Sequence, residues 1–285
     1  MRKLLLFSVL CTGLAVPMTG HATGAETQRT VYFSAFDAKG TAVTDLTAAD
    51  LAVKENGKDR AIASVVAATE PIQVSILVDD GGSGGFQAPV AQFLDAMAGH
   101  AQFAIRAFNP QPTRVADFTA DTGALQKALT AIGQRGLVNT AGDQMQDAIA
   151  EAAKELQKRK APRAAIVVLT AGGEKALSTQ AESTLTDLKN SGASLHVVHL
   201  AGIELGQVLG DGPKRSGGTV QQITGGVVPG PVLAKIADAL LKQYVLTYTL
   251  PDGVKPNDRL SLTTSRKGIT LLAPSRIPDR SRVDY

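Results

Sequence analysis

The chain reads as α/β: a doubly wound, mostly parallel sheet with a small β appendage drawn from its N- and C-terminal segments. Three observations lead there. Apolar runs at 72–78, 164–170 and 194–200 are continuous rather than alternating, the pattern of strands buried on both faces. Segments with helical spacing lie between them, and alternation of strand and helix is the order of a doubly wound sheet. The flanking segments, 28–70 and 244–274, carry short β-like runs separated by Gly and Asn turn signals.

The first 25 residues have the layout of a secretory signal: Met1-Arg-Lys, an apolar run from Leu4 to Val16, then small residues that offer cleavage after Ala22 or Ala25. A retained membrane anchor is the alternative, although the run is short for a span. Cys11 is the single cysteine and sits inside this run after Leu10, which does not suit lipid attachment. Cleavage would leave a chain without disulfide or thiol chemistry, placed in the periplasm or secreted. The net charge of +3 includes Arg2 and Lys3, so the mature chain is nearly neutral and gives no argument for nucleic acid or an anionic membrane.

From residue 28 the expected elements run in order. Thr30 to Phe36 is strand-like, Asp37 to Gly40 a turn, and Leu46 to Leu51 a helical turn capped by Thr47. Leu51 to Glu55 is a strand, Asn56-Gly57 a hairpin turn, and Ala61 to Ala67 the returning strand. After the strand at 72–78 comes a helix at about 86–98, with Phe86, Val90, Phe93, Leu94 and Met97 on one face. Gln102 to Phe108 and Thr113 to Phe118 pair across a Pro-containing turn, and helices are expected over 121–134 and 140–158. The basic Lys158-Arg-Lys160 suits a solvated helix C-terminus.

A buried strand at 164–170 is followed by a helix at 180–190 that stops at Gly192, and by another buried strand at 194–200. His196 and His199, three apart in that strand, face opposite sides and read as ordinary strand histidines. Residues 202–218 read as a Gly-rich loop, 217–223 as the last strand of the sheet and 229–243 as the last helix. Tyr244 to Leu250 is a strand, 259–264 and 268–273 a hairpin around Ser265-Arg-Lys-Gly268, and 275–285 a frayed tail. The domain reading is therefore a signal (1–25), a β segment (28–70), an α/β domain (71–243), a second β segment (244–274) packing with the first, and the tail (275–285).

The stretch Val74-Ser-Ile-Leu-Val-Asp79-Asp-Gly-Gly-Ser83-Gly-Gly85 is the candidate site: a central strand that stops at two carboxylates and a loop of small residues. Ligands bind at the carboxyl ends of strands in open α/β sheets. Three readings compete. A phosphate cradle lacks both G-x-G-x-x-G and a P-loop pattern, and the carboxylates would repel the anion. A metal site would use Asp79 and Ser83. In the third reading these side chains merely cap a strand-to-helix turn.

This stretch resembles the opening of a von Willebrand factor type A domain, whose D-x-S-x-S metal motif follows the first central strand. Asp79-Asp80-Gly81-Gly82-Ser83 reads D-x-G-x-S, Thr140 matches a later threonine of the motif, and Val167-Val-Leu-Thr-Ala171-Gly172 has alanine where the family has aspartate. The pre-domain run Val43-Thr-Asp-Leu-Thr-Ala-Ala-Asp-Leu-Ala-Val-Lys-Glu-Asn-Gly57 and the ending Leu240-Leu-Lys-Gln-Tyr-Val-Leu-Thr-Tyr248 are similar to the bacterial von Willebrand factor A-related group. The resemblance implies hydroxyls and carboxylates around Mg²⁺ or another divalent cation, completed by a partner's acidic side chain.

Asp79, Ser83 and Thr140 are the ligands that remain here; Gly81 and Ala171 remove a hydroxyl and a carboxylate. Asp80 points to the opposite face, and Glu174 is near only in sequence. The chain offers no nucleophile elbow and no zinc motif. The expectation is an exported, non-catalytic protein-binding or assembly module, without a cofactor, that meets a protein or envelope partner through Asp79, Asp80, Gly81, Ser83, Asn139, Thr140, Ala171 and Glu174. A Mg²⁺-dependent adhesion domain is the alternative, and an enzyme of unknown type the third.

Overall fold

The computed structural model describes residues 27–79, 85–108, 112–132, 144–172, 178–224 and 229–279. The expected signal segment at 1–25 lies outside these. Chain order gives β1 (Thr27–Phe36), a short 3₁₀ turn (Ala48–Asp50), β2 (Leu51–Glu55), β3 (Lys58–Arg60), β4 (Ile62–Ala67), β5 (Ile72–Asp79), α1 (Gln87–Ala96), β6 (Ala101–Phe108) and β7 (Pro112–Thr119). There follow α2 (Thr122–Leu129), α3 (Gln144–Lys158), β8 (Ala164–Thr170), α4 (Ser178–Ser191), β9 (Ser194–Leu200), α5 (Gln207–Ser216), β10 (Val220–Ile223), α6 (Gly230–Leu241), β11 (Tyr244–Leu250), β12 (Leu260–Thr264) and β13 (Thr270–Leu272).

The fold is α/β around a six-stranded sheet of order β10-β9-β8-β5-β6-β7, parallel except for β7. Its apolar strands serve two cores at once. On β8, Ala165, Val167 and Leu169 join α1, α2 and α6 on one face, while Ile166 and Val168 join α3, α4 and α5 on the other. That is why these runs are apolar throughout rather than alternating.

Two smaller antiparallel sheets, β13-β1-β11-β4 and β12-β2-β3, mix strands from both ends of the chain. They share a third core around Val31, Phe33, Leu246 and Tyr248, with Phe33 stacked on Tyr244 at 5.0 Å. The Tyr244 hydroxyl accepts from Leu46 N–H at 3.0 Å and donates to Val43 O at 2.9 Å, which ties β11 to the segment before β2.

Four expectations need correction. After Asn56-Gly57, both with positive φ, the chain returns as charged β3 and not as 61–67. β4 leaves for the other sheet, where Ile62 and Val65 pack on the third core and the strand pairs with β11. Strands β12 and β13 do not form a hairpin, because each finds its partner in the N-terminal segment, β2 and β1 respectively.

The Gly-rich stretch at 202–218 contains α5, with Val208 and Leu209 fully buried. Gly212, Gly217 and Gly218 serve close packing: a Cβ on Gly218 would lie 1.8 Å from the Leu195 carbonyl oxygen. Finally, 275–279 is held rather than frayed, with Ile277 buried and its N–H on Asp258 O at 2.9 Å. Among the described residues no helix is long and apolar enough to cross a membrane.

Candidate functional site

Strand order reverses between β5 and β8. From β5 the chain winds through α1 to β6 and β7 on one side, and from β8 through α4 and α5 to β9 and β10 on the other. The connections from the two carboxyl ends therefore run to opposite sides of the sheet, and in such sheets ligands usually bind in the crevice outside this switch point. Asp79 and Thr170 are the last residues of β5 and β8 and stand opposite each other in register.

The Asp79 side chain is 1% exposed. A carboxylate so far from water needs donors around it. The Thr170 hydroxyl lies 3.3 Å from Asp79 Oδ2, and the Ala171 N–H donates to the Asp79 carbonyl at 2.7 Å. Thr170 Oγ1 also accepts from Gly172 N–H at 3.0 Å and lies 2.8 Å from Gly172 O. The threonine thus folds the first loop residues back over the strand end and presents its hydroxyl to the carboxylate. Sequence reading passed over Thr170; the signal was the parallel register that sets it beside Asp79.

Of the expected site residues, Asp79 and Ala171 are brought together here. Asp80, Gly81, Ser83, Asn139, Thr140 and Glu174 lie outside the described residues. A hard divalent cation takes about six oxygen ligands. At this strand end the described side chains supply one carboxylate, and one hydroxyl already committed to Gly172; Ala171 supplies none. This donor set does not fit a divalent cation on its own.

The other notable polar groups are built into the frame. His196 lies between the Thr219 and Ser194 hydroxyls, each at 3.1 Å, and burial pushes its imidazole down to about 4. His199 instead has Nδ1 on Leu200 O at 2.9 Å. Arg159, in the basic cluster after α3, lies over the Phe118 ring at 4.4 Å and bonds Gln73 and Gln102, so it staples α3 to the sheet.

Residues 76–174 match the family model of the von Willebrand factor type A domain. The match begins in β5 and ends just past β8, and so brackets the crevice. No curated protein matches the chain significantly. Among solved structures, a von Willebrand factor type A protein from Catenulispora acidiphila is 13% identical over 89% of this chain and 75% of its own, with a TM-score of 0.47. The conserved hypothetical protein BatB from Bacteroides thetaiotaomicron is 13% identical, covering 59% of this chain and 98% of its own, at 0.44. The von Willebrand factor domain of the type V pili tip protein Mfa5 from Porphyromonas gingivalis is 13% identical over 61% and 94%, at 0.43.

Proposed function

We propose, for a chain that carries a von Willebrand factor type A domain over residues 76–174, a non-catalytic role as an exported protein-binding or assembly module that uses the β5–β8 loop face without a metal. The observation that carries this reading is the pairing of Asp79 with Thr170 next to Ala171. The carboxylate is buried against a hydroxyl, and the following position has no oxygen to add. A buried Asp79 serves to tie the ends of β5 and β8 together, and the residues that follow them make the contact. The partner is a protein or an envelope component, and the site of action is the periplasm or the exterior.

The test is a photo-crosslinking residue at position 171, compared with one at Lys235 on α6, in the presence of chelator. A partner captured at 171 and not at 235, with a yield that Mg²⁺ does not change, supports the reading. Capture that needs Mg²⁺ contradicts it. The second reading, a Mg²⁺-dependent adhesion site, is favoured by the placement of Asp79 at the strand switch point, with Ser83 and Thr140 as the further ligands.

A further inference from the structure

A cavity of about 1000 Å³ opens at the other end of the molecule. Ala164 and Ser194, the first residues of β8 and β9, line it, so it lies at the amino ends of the strands whose carboxyl ends form the crevice above. Its opposite wall is a face of the four-stranded sheet, with Ser64 and Val66 of β4 beside Val245 and Thr247 of β11.

We propose that this cavity and the edge of β4 receive an extended acidic peptide of another protein, which adds to the sheet as a strand. β4 is terminal in the order β13-β1-β11-β4. Ala68 N–H donates to Gln243 O at 2.9 Å, so by the alternation of an antiparallel ladder Val66 bonds toward β11, while Val65 and Ala67 turn their N–H and C=O groups outward. Proteins commonly protect such edges with charge, proline or shortness. The edge strand β3 is Lys-Asp-Arg, β7 carries Arg114 and Asp117, and the uncharged edges β10, β13 and β12 are shorter than β4, at four, three and five residues. β4 reads Ile-Ala-Ser-Val-Val-Ala, without charge or proline, and its Val66 is 54% exposed. That is the character of an edge built to be paired.

Charge selects the peptide. Six Lys and Arg side chains line the cavity against three carboxylates, and one of the six, Arg29, is already paired with buried Glu55 behind the wall. Lys189 and Arg276 share Asp258, and Arg215 is answered by Glu182 and Asp211. Arg163, 5% exposed, is different: it donates to Gln243 Oε1 at 2.9 Å, Ala68 O at 3.3 Å, Glu70 O at 2.9 Å and Leu240 O, all neutral oxygens. Glu70 offsets part of that charge from the wall, and Lys160 adds to it from the rim. A second copy of the chain would bring only Ser64 and Val66 to this face, which neither fills the cavity nor answers its charge. A strand with alternating acidic side chains does both. This proposal does not depend on the reading of the β5–β8 loop face.

The experiment is fluorescence anisotropy of the full mature chain with a labelled peptide of alternating valine and glutamate, combined with amide hydrogen exchange. Binding with a Kd below about 1 mM is expected, weakened about tenfold or more by Val66→Glu and by Lys160→Glu, two exposed changes whose folding is checked by thermal melting. Exchange at Val65 and Ala67 should slow in the complex. Four results would overturn the proposal: no binding up to about 1 mM, equal binding of a valine–lysine peptide, equal binding of the acidic peptide with a central proline, or sedimentation as a dimer whose β4 amides are already protected.

Discussion

Asp79 and Thr170 end neighbouring parallel strands at the same level, and the Thr170 hydroxyl lies 3.3 Å from the Asp79 carboxylate. The same hydroxyl accepts the Gly172 N–H at 3.0 Å. One side chain therefore serves two polar groups, a buried carboxylate and a part-buried amide. Thr170→Val keeps the shape and removes both bonds. It should cost about 1–3 kcal/mol in urea unfolding, the net worth of hydrogen bonds of which one goes to a carboxylate. Thr170→Ser should restore most of that loss.

Position 171 decides the metal question. Ala171 is half-buried at the crevice, and its N–H already fixes the backbone against Asp79. Ala171→Asp adds a carboxylate where the family has one. The variant should gain a melting-temperature rise with Mg²⁺, worth about 2.7 kcal/mol at a hundredfold excess over Kd, and the natural chain should show none. Adding Asp79→Ala to Ala171→Asp should remove the rise.

Glu55 joins the two small sheets. It is 0% exposed, pairs with Arg29 and with Arg60 at 3.4 Å, and accepts from the Tyr248 hydroxyl at 3.2 Å and Asn257 N–H at 3.2 Å. Arg29 in turn donates to Asn257 O and Pro278 O, which anchors the segment after β13. Removing one member of a buried pair strands the other charge, so Glu55→Gln should destabilise by about 3–5 kcal/mol. Chemical denaturation gives the value, and proteolysis after residue 270 should accelerate in the variant.

His196 sets an acid limit. Its folded pKa is near 4, below the ordinary 6.5, because the ring is buried. The unfolded chain takes up a proton below pH 6.5 while the folded chain resists until about pH 4. The stability associated with the neutral ring is complete above pH 6.5, falls as pH drops toward 4 and then levels off, a total of about 3 kcal/mol. His196→Gln should flatten this part of the curve of unfolding free energy against pH.

The sheet was legible because its strands are apolar on both faces: Val74 to Val78 and Ala165 to Leu169 have no other way to be soluble. Asn56-Gly57 marked its turn because both residues adopt positive φ. Sequence reading failed where tertiary packing overrides local signals. Gly212 and Gly218 look like loop residues, yet they let α5 and the turn after it press against Leu195. Lys58-Asp-Arg60 is too charged to look like a strand, and only its pairing with β2 makes it one. The place of Asp79 at the end of β5 was legible from the abrupt end of an apolar run. Thr170 was not, because its role depends on a partner 91 residues away.

Calorimetric titration of the chelator-stripped protein with Mg²⁺ tests the metal-independent reading most directly. The account predicts no binding heat and a melting temperature that Mg²⁺ leaves unchanged. Saturable binding at micromolar to low-millimolar strength, lost in Asp79→Ala, would contradict it and make the crevice a metal-dependent receptor.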